Sequence, residues 1–139
     1  MWVVDASVAV KWFIEEPGWP AARAVLARGE SLLAPDLIVV EASNTAWKKV
    51  KRQEMTSEQG EAMVRAIPLF FDRLTPSGSL AARAYVLANQ LNHPVYDCLY
   101  LALAESEAVE LITDDARLFA AVSRTALRKR IRLLAKFES

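Results

Sequence analysis

The chain has 139 residues, of which 53 % are hydrophobic, so it is long enough to bury the core of one ordinary domain. Its 17 basic and 17 acidic side chains cancel, which excludes the strong overall attraction to phosphate of a very basic protein. The single cysteine excludes an internal disulfide, and no apolar run approaches the ~20 residues that cross a bilayer. We therefore expect one domain over residues 1–139, with no membrane partner, in the reducing cytoplasm.

Short apolar runs alternate along the chain with longer segments of helical periodicity, a pattern typical of a parallel sheet covered by helices. Strands are predicted at Trp2–Val4, Ser31–Ala34, Phe70–Leu74, Leu111–Thr113 and Ile131–Leu134. Helices are predicted at Val8–Ile14, Pro20–Arg28, Leu37–Gln53, Ser57–Ala66, Ser79–Leu91, Cys98–Glu107 and Arg117–Ser123. This alternation predicts an α/β fold.

Asp5 and the hydroxyl of Ser7 follow directly on the first predicted strand. Ligands of open α/β sheets bind outside the carboxyl ends of the strands, so an acid here lies where a site can form. Asp and Ser are also common helix caps, and either residue would suit the helix that begins near Val8. Capping and ligand binding both stay open for Asp5 on this reasoning.

Glu41 lies inside the predicted helix Leu37–Gln53, on a face that it shares with Leu37, Ile38 and Asn44. Its apolar neighbours favour a carboxylate that is buried or lies at the rim of a cavity. The alternative is a solvated acid on an amphipathic helix.

Asp97 lies at the first turn of a helix whose side chains are apolar on most faces, so this helix is predicted to be mostly buried. The free amides and the dipole at a helix start stabilise an ionised carboxylate there. Asp114 and Asp115 follow the fourth predicted strand, as Asp5 follows the first. One of this pair is expected to cap the next helix, and capping alone is the alternative for both.

Four acidic positions at strand ends or on buried helix faces are hard to explain by capping alone. Clustered carboxylates repel and raise one another's pKa, and a divalent cation relieves that repulsion. The donors are hard oxygens without a cluster of Cys or His, so Mg²⁺ fits best, with Mn²⁺ as a substitute. Because Mg²⁺ often completes its shell with phosphate oxygens, the acids point to phosphodiester chemistry.

Four segments resemble the successive motifs of PIN-domain proteins, specifically the VapC-type toxin ribonucleases of type II toxin–antitoxin systems. They are VVDASVAVKWF near the start, LAPDLIVVEASNTAW in the middle, and HPVYDCLYLALAE and LITDDARLF later. The resemblance runs from Met1 to about Leu134. It implies a three-layer α/β/α sandwich with a mainly parallel central sheet, and a Mg²⁺-dependent endoribonuclease that acts on RNA. It also implies a homodimer and a small VapB-type antitoxin as partner.

Matched residue by residue, the resemblance carries the family's catalytic acidic quartet onto Asp5, Glu41, Asp97 and Asp115. It implies that Asp5, Asp97 and Asp115 hold the metal ion, while Glu41 orients or deprotonates the attacking water. Four neighbouring polar residues would tune these ligands and waters from behind: Ser7, Asn44, Thr113 and Asp114.

Two other functions compete with this interpretation. A phosphoacceptor receiver domain also combines an α/β sheet with Mg²⁺ and clustered aspartates, but it needs paired acids after the first strand. The segment WVVDAS supplies no such pair. A non-catalytic α/β interaction module is the second alternative.

Other polar residues receive a structural interpretation from the sequence. His93, the only histidine, precedes Pro94 in a predicted loop and is interpreted as structural or solvated rather than as an acid–base catalyst. The basic residues near the C-terminus are interpreted as a solvated face or as a contact to an RNA backbone. They are Arg124, Arg128, Lys129, Arg130, Arg132 and Lys136.

Overall fold

The computed structural model, which describes residues 1–137, contains a five-stranded sheet in which all strands are parallel. The strand order is β3-β2-β1-β4-β5. The strands are β1 (Trp2–Val4), β2 (Leu32–Pro35), β3 (Arg73–Thr75), β4 (Glu110–Thr113) and β5 (Ile131–Leu133). The parallel central sheet expected from the sequence is thereby confirmed.

Seven α-helices lie among residues 1–137 and connect the strands. They are α1 (Ala6–Ala9), α2 (Trp19–Ala27), α3 (Leu37–Lys51), α4 (Ser57–Ala66), α5 (Ala81–Leu91), α6 (Val95–Glu107) and α7 (Ala116–Ser123). Crossovers between parallel strands are right-handed, so the reversal of direction after β3 puts α5–α7 on the face opposite α1–α4. The three-layer α/β/α sandwich is confirmed.

The core lies on both sides of the central strands, as expected for a parallel sheet. Val3 and Val4 of β1 and Leu111 and Ile112 of β4 are fully buried. On one face α6 packs against β1, β2 and β4, and all its residues from 98 to 104 are buried. This nearly all-apolar helix fixes the position of its polar first turn relative to the sheet.

The first helix and the third strand begin at residues other than those predicted. The first helix begins at Ala6 rather than Val8, because Asp5 caps it through a hydrogen bond from the Val8 amide. The third strand begins at Arg73 rather than Phe70, because the Pro-containing segment before it forms a 3₁₀ turn. Phe70 stacks on Trp12 instead, with ring centroids 5.1 Å apart.

The helix predicted from Cys98 begins earlier, at Val95, with Pro94 at its N-cap. Asn92, in the left-handed region at φ 50°, ends α5 just before it. The corner between α5 and α6 is therefore only three residues long, and Asp97 lies in the first turn of α6, as the sequence predicted.

The strand order places a topological switch point beside β1. From β1 the chain proceeds through β2 to β3 on one side, and it then returns to build β4 and β5 on the other. Ligands of open α/β sheets bind outside the carboxyl ends of the strands at such a point. The order also differs from the 2-1-3-4-5 order of receiver-type sheets, which argues against that alternative.

Among residues 1–137, no helix has both the length and the apolar character that a membrane crossing requires. The single domain predicted over residues 1–139 stays a prediction, and its last two residues, Glu138 and Ser139, lie outside the described part of the chain.

Candidate active site

A cavity of about 210 Å³ contains all four members of the predicted acidic quartet. Two of the acids follow β1 and β4, one comes from α3, and one comes from the first turn of α6. The residues that line it are Asp5, Ala6, Ser7, Glu41, Asp97, Tyr100 and Asp115. Four carboxylates from four separate parts of the sequence therefore face one small volume.

Asp5 is the most deeply buried of these acids, with 8 % of its surface exposed. The hydroxyl of Ser7 donates to its Oδ1 at 2.5 Å, and the hydroxyl of Thr113 donates to its Oδ2 at 2.5 Å. Burial nevertheless raises the pKa of Asp5 to about 6, and the charge of Asp97 adds to the rise. The hydrogen bonds counteract this effect only in part.

The two hydroxyl groups on Asp5 also fix the loop that follows β4. Ser7 Oγ accepts a hydrogen bond from the backbone N–H of Asp114 at 3.1 Å. Thr113 Oγ1 accepts one from the backbone N–H of Asp115 at 3.0 Å. Each hydroxyl thus joins the Asp5 carboxylate to one amide of the neighbouring loop, so the loops after β1 and β4 are held together.

Asp5 and Asp115 each cap a helix and also line the cavity. Asp115 Oδ1 caps α7 by accepting hydrogen bonds from the amides of Arg117 and Leu118 at 2.9 and 3.1 Å. Its Oδ2 lies 3.9 Å from the imidazole Nε2 of His93. The sequence posed capping as an alternative to ligand binding, but a carboxylate has two oxygens and can serve both purposes.

Glu41 is half-buried on α3, so the alternative of a fully solvated acid is wrong. The buried hydroxyl of Tyr100 donates to Glu41 Oε1 at 2.5 Å. Burial raises the pKa of Glu41, the Tyr100 hydrogen bond lowers it, and the charge of Asp97 raises it further. Tyr100 lies one helical turn after Asp97, so both project toward the cavity from the same face of α6.

The structure contradicts a solvated His93, while a structural role fits its contact with Asp97. Its side chain is only 7 % exposed, and Nε2 lies 2.8 Å from Asp97 Oδ2. His93, Asp97 and Asp115 each offer one ligand atom, and these atoms all lie within 4.8 Å of one another. Sequence reasoning missed this residue, although its spacing of four from Asp97 was a usable signal.

Asp114 lies outside the cavity lining, and its side chain is held by a second residue that sequence reasoning missed. Lys11 is 7 % exposed, and its Nζ lies 3.2 Å from Asp114 Oδ2 and 3.2 Å from Glu16 Oε1. Its Nζ also donates to the carbonyl oxygen of Ser7 at 3.1 Å. Lys11 therefore ties the backbone beside Asp5 to the loop after β4. A lone lysine in the apolar run VAVKWF was the available signal.

Of the other two polar residues predicted to tune the site, Thr113 contacts Asp5 and Asn44 does not line the cavity. Thr113 is fully buried and bonded to Asp5, as described above. Asn44 is exposed on α3, and it is not among the residues that line the cavity. Its predicted part in tuning the site gains no support from this position.

The donor chemistry of the cavity fits a divalent cation. Carboxylate oxygens dominate its lining, and the imidazole of His93, which is not itself a lining residue, offers a nitrogen within 4.8 Å of ligand atoms of Asp97 and Asp115. Burial, and to a smaller extent repulsion by Asp97, raises the pKa values of Asp5 and Glu41. A bound cation would offset this repulsion, and Asp97 and Asp115, together with His93, offer ligand atoms that lie within 4.8 Å of one another.

The fold and this cavity define a class of protein: a parallel α/β sandwich with clustered carboxylates at the switch point of its sheet. The model of the PIN domain family matches residues 2–125, and the chain belongs to this family. The resemblance to the VapC group is confirmed by curated relatives. Ribonuclease VapC12 of Mycobacterium tuberculosis is 37 % identical over 118 residues, which cover 85 % of this chain and 89 % of the relative.

Two further proteins are similar to this chain. Ribonuclease VapC3 of Pyrobaculum aerophilum is 29 % identical over 118 residues, which cover 84 % of this chain and 90 % of the relative. The crystal structure of PAE2754 from Pyrobaculum aerophilum matches with a TM-score of 0.72 at 21 % identity, covering 97 % of this chain and 84 % of that one. The structural likeness supports the fold alone.

The raised pKa of Asp5 predicts how stability depends on pH in the metal-free protein. Because the folded-state pKa of about 6 exceeds the ordinary 3.8, this carboxyl favours the folded state at low pH, and that contribution is lost as pH rises through 6. Asp5→Asn removes the titration. We expect the unfolding free energy of the variant relative to wild type to increase by roughly 2–3 kcal/mol from pH 4 to pH 7.

Urea unfolding of both proteins in EDTA at several pH values measures this difference. A difference between the two free energies that stays constant from pH 4 to pH 7 would contradict the raised pKa of Asp5.

Proposed function

We propose that this chain is a metal-dependent endoribonuclease, acting as the toxin of a VapBC-type toxin–antitoxin pair. Relatives that align with most of their length are named ribonucleases, which supports a nuclease. The observation that carries the proposal is the convergence of Asp5, Glu41, Asp97 and Asp115 on one cavity. A non-catalytic interaction module has no need of four carboxylates gathered in one small cavity.

The proposed cofactor is Mg²⁺, with Mn²⁺ as a substitute. When bound, the cation supplies positive charge that activates water and offsets the charge that develops on the scissile phosphate. In this proposal Asp97, Asp115 and Asp5 hold it. Ser7 and Thr113 keep the Asp5 carboxylate in one orientation, since each hydroxyl donates to a different oxygen.

Glu41 is proposed to orient the attacking water and to accept its proton. The Tyr100 hydroxyl holds Oε1, and Oε2 has no hydrogen-bond partner among residues 1–137. The raised pKa of Glu41 brings this carboxylate closer to the range in which a general base works well. Tyr100 thus acts as a positioning residue for Glu41.

The proposed partners are RNA as substrate, a VapB-type antitoxin and a second copy of the chain, all in the cytoplasm. An arginine of the antitoxin could reach the acidic cavity and compete with the cation there. For the homodimer, α5 and the first turn of α6 offer four exposed large apolar side chains. They are Tyr85, Val86, Val95 and Tyr96.

The nuclease proposal is tested with the Asp5→Asn variant. An amide is an uncharged and weaker ligand than a carboxylate, so we expect RNA cleavage in Mg²⁺ to fall by roughly 100-fold or more. Glu58→Gln, which neutralises an exposed acid in the first turn of α4, is the matched control and should cleave at the wild-type rate. Cleavage of one defined RNA by all three proteins is the measurement.

Circular dichroism spectra of the three proteins establish that each is folded. Undiminished cleavage by folded Asp5→Asn, or cleavage by wild type in excess EDTA, would contradict the proposal.

The toxin proposal predicts a short protein encoded beside this chain that binds it and suppresses RNA cleavage. Co-expression with an affinity tag on the neighbour, followed by size-exclusion chromatography with light scattering, should give a complex that contains both chains. The same measurement on this chain alone should give twice its mass. If the purified neighbour at excess neither binds nor lowers cleavage, the toxin assignment fails while the nuclease assignment stands.

A further inference from the structure

Among residues 1–137, His93 is the one residue whose side-chain nitrogen lies within 4.0 Å of carboxylates that line the cavity, and its backbone is anchored at both ends of the residue. Its N–H donates to the carbonyl oxygen of Ala88 at 3.1 Å, and its carbonyl oxygen accepts a hydrogen bond from Cys98 Sγ at 3.9 Å. The corner between α5 and α6 thereby holds the imidazole against the first turn of α6. These backbone hydrogen bonds fix the position of the imidazole ring independently of the group that Nε2 contacts.

The position of the imidazole matches that of a third ligand beside two carboxylates. Nε2 lies 2.8 Å from Asp97 Oδ2 and 3.9 Å from Asp115 Oδ2. Two ligands bonded to one ion at about 2.1 Å are about 3.0 Å apart at a right angle and about 4.2 Å apart when opposite. Both observed distances are close to this range, so small side-chain movements suffice to make all three groups ligands of one ion.

Burial supports a role for Nε2 toward Asp97 and Asp115 rather than toward solvent. The His93 side chain is 93 % buried, although the segment before it is exposed. A buried imidazole keeps a polar partner for each nitrogen where it can. Here Nε2 is directed at two of the acids proposed to hold the cation, and no basic side chain among residues 1–137 forms an ion pair with Asp97 or Asp115 other than His93.

We propose that His93 Nε2 is a ligand of the ion held by Asp97 and Asp115, and that this nitrogen makes the site prefer Mn²⁺ over Mg²⁺. This inference rests on the cation site of the proposed function and deepens it. Mg²⁺ is a hard ion that favours oxygen ligands, whereas imidazole suits transition metals, for which affinity rises from Mn²⁺ onward. All-oxygen donors, as expected from the sequence, suit both ions and would not add to that preference.

The simplest competing explanation is that His93 only orients Asp97 by donating a hydrogen bond to it. The two roles differ in what they require of the nitrogen. A ligand needs the lone pair of Nε2, while a hydrogen-bond donor needs its proton. A glutamine in place of His93 can still donate through its amide N–H groups but offers no imidazole lone pair, so it separates the two roles.

Electron spin echo spectroscopy of the Mn²⁺-loaded wild-type protein, with any affinity tag removed, tests the ligand directly. We expect modulation from a directly bound imidazole nitrogen. Because the chain has one histidine, that signal can come only from His93. Protein grown with ¹⁵N-labelled histidine should show the corresponding isotope change. Bound Mn²⁺ without nitrogen coupling would overturn the proposal.

Binding constants for the two ions supply a second readout that is independent of RNA cleavage. For His93→Gln we expect Mn²⁺ affinity, measured from the free-ion spectrum, to fall about tenfold. Mg²⁺ affinity, measured by competition, should change by less than about threefold. Equal losses for both ions would show an orienting role only and would overturn the proposal. Wild-type spectra keep the test valid if the variant does not fold.

The outcomes also separate this inference from the proposed function. Mn²⁺ bound with oxygen ligands alone, together with metal-dependent RNA cleavage, would remove His93 from the coordination shell and leave the nuclease intact. Failure of the wild-type protein to bind Mn²⁺ or Mg²⁺ at all would overturn both proposals.

Discussion

The site depends on a single buried carboxylate that accepts hydrogen bonds from two hydroxyl groups. Ser7 and Thr113 each donate to one oxygen of Asp5, and each accepts a backbone N–H from the loop after β4. This arrangement fixes the carboxyl ends of β1 and β4 relative to each other at the switch point of the sheet. Asp115 is in turn positioned by this loop and by its cap on α7.

Gathering these acids in a partly buried cavity makes their ionisation cost free energy. Burial and the neighbouring charge of Asp97 raise the pKa values of Asp5 and Glu41, so ionising both acids in the folded protein is unfavourable. Lys11 does not relieve this repulsion, because its ion pairs are with Asp114 and Glu16. A divalent cation would relieve it, which couples metal binding to the stability of the fold.

Much of the fold followed from the sequence because parallel strands carry a strong pattern. The apolar runs predicted all five strands, and acids that follow two such strands meet at one edge of the sheet. Other contacts join residues too far apart in the chain for local patterns to reveal. Tyr100 bonds to Glu41 across 59 positions, and Thr113 bonds to Asp5 across 108. His93 lies beside Asp97 and Asp115 at a corner where Asn92, in a left-handed conformation, ends α5.

In the proposed function these carboxylates form one cation site. Crystals soaked in Mn²⁺ and measured at the manganese absorption edge test it most directly, because anomalous scattering locates the ion without reference to activity. We expect an anomalous peak inside the cavity that Asp5, Asp97 and Asp115 line. A cavity without a peak, in crystals whose Mn²⁺ concentration saturates surface sites, would contradict it.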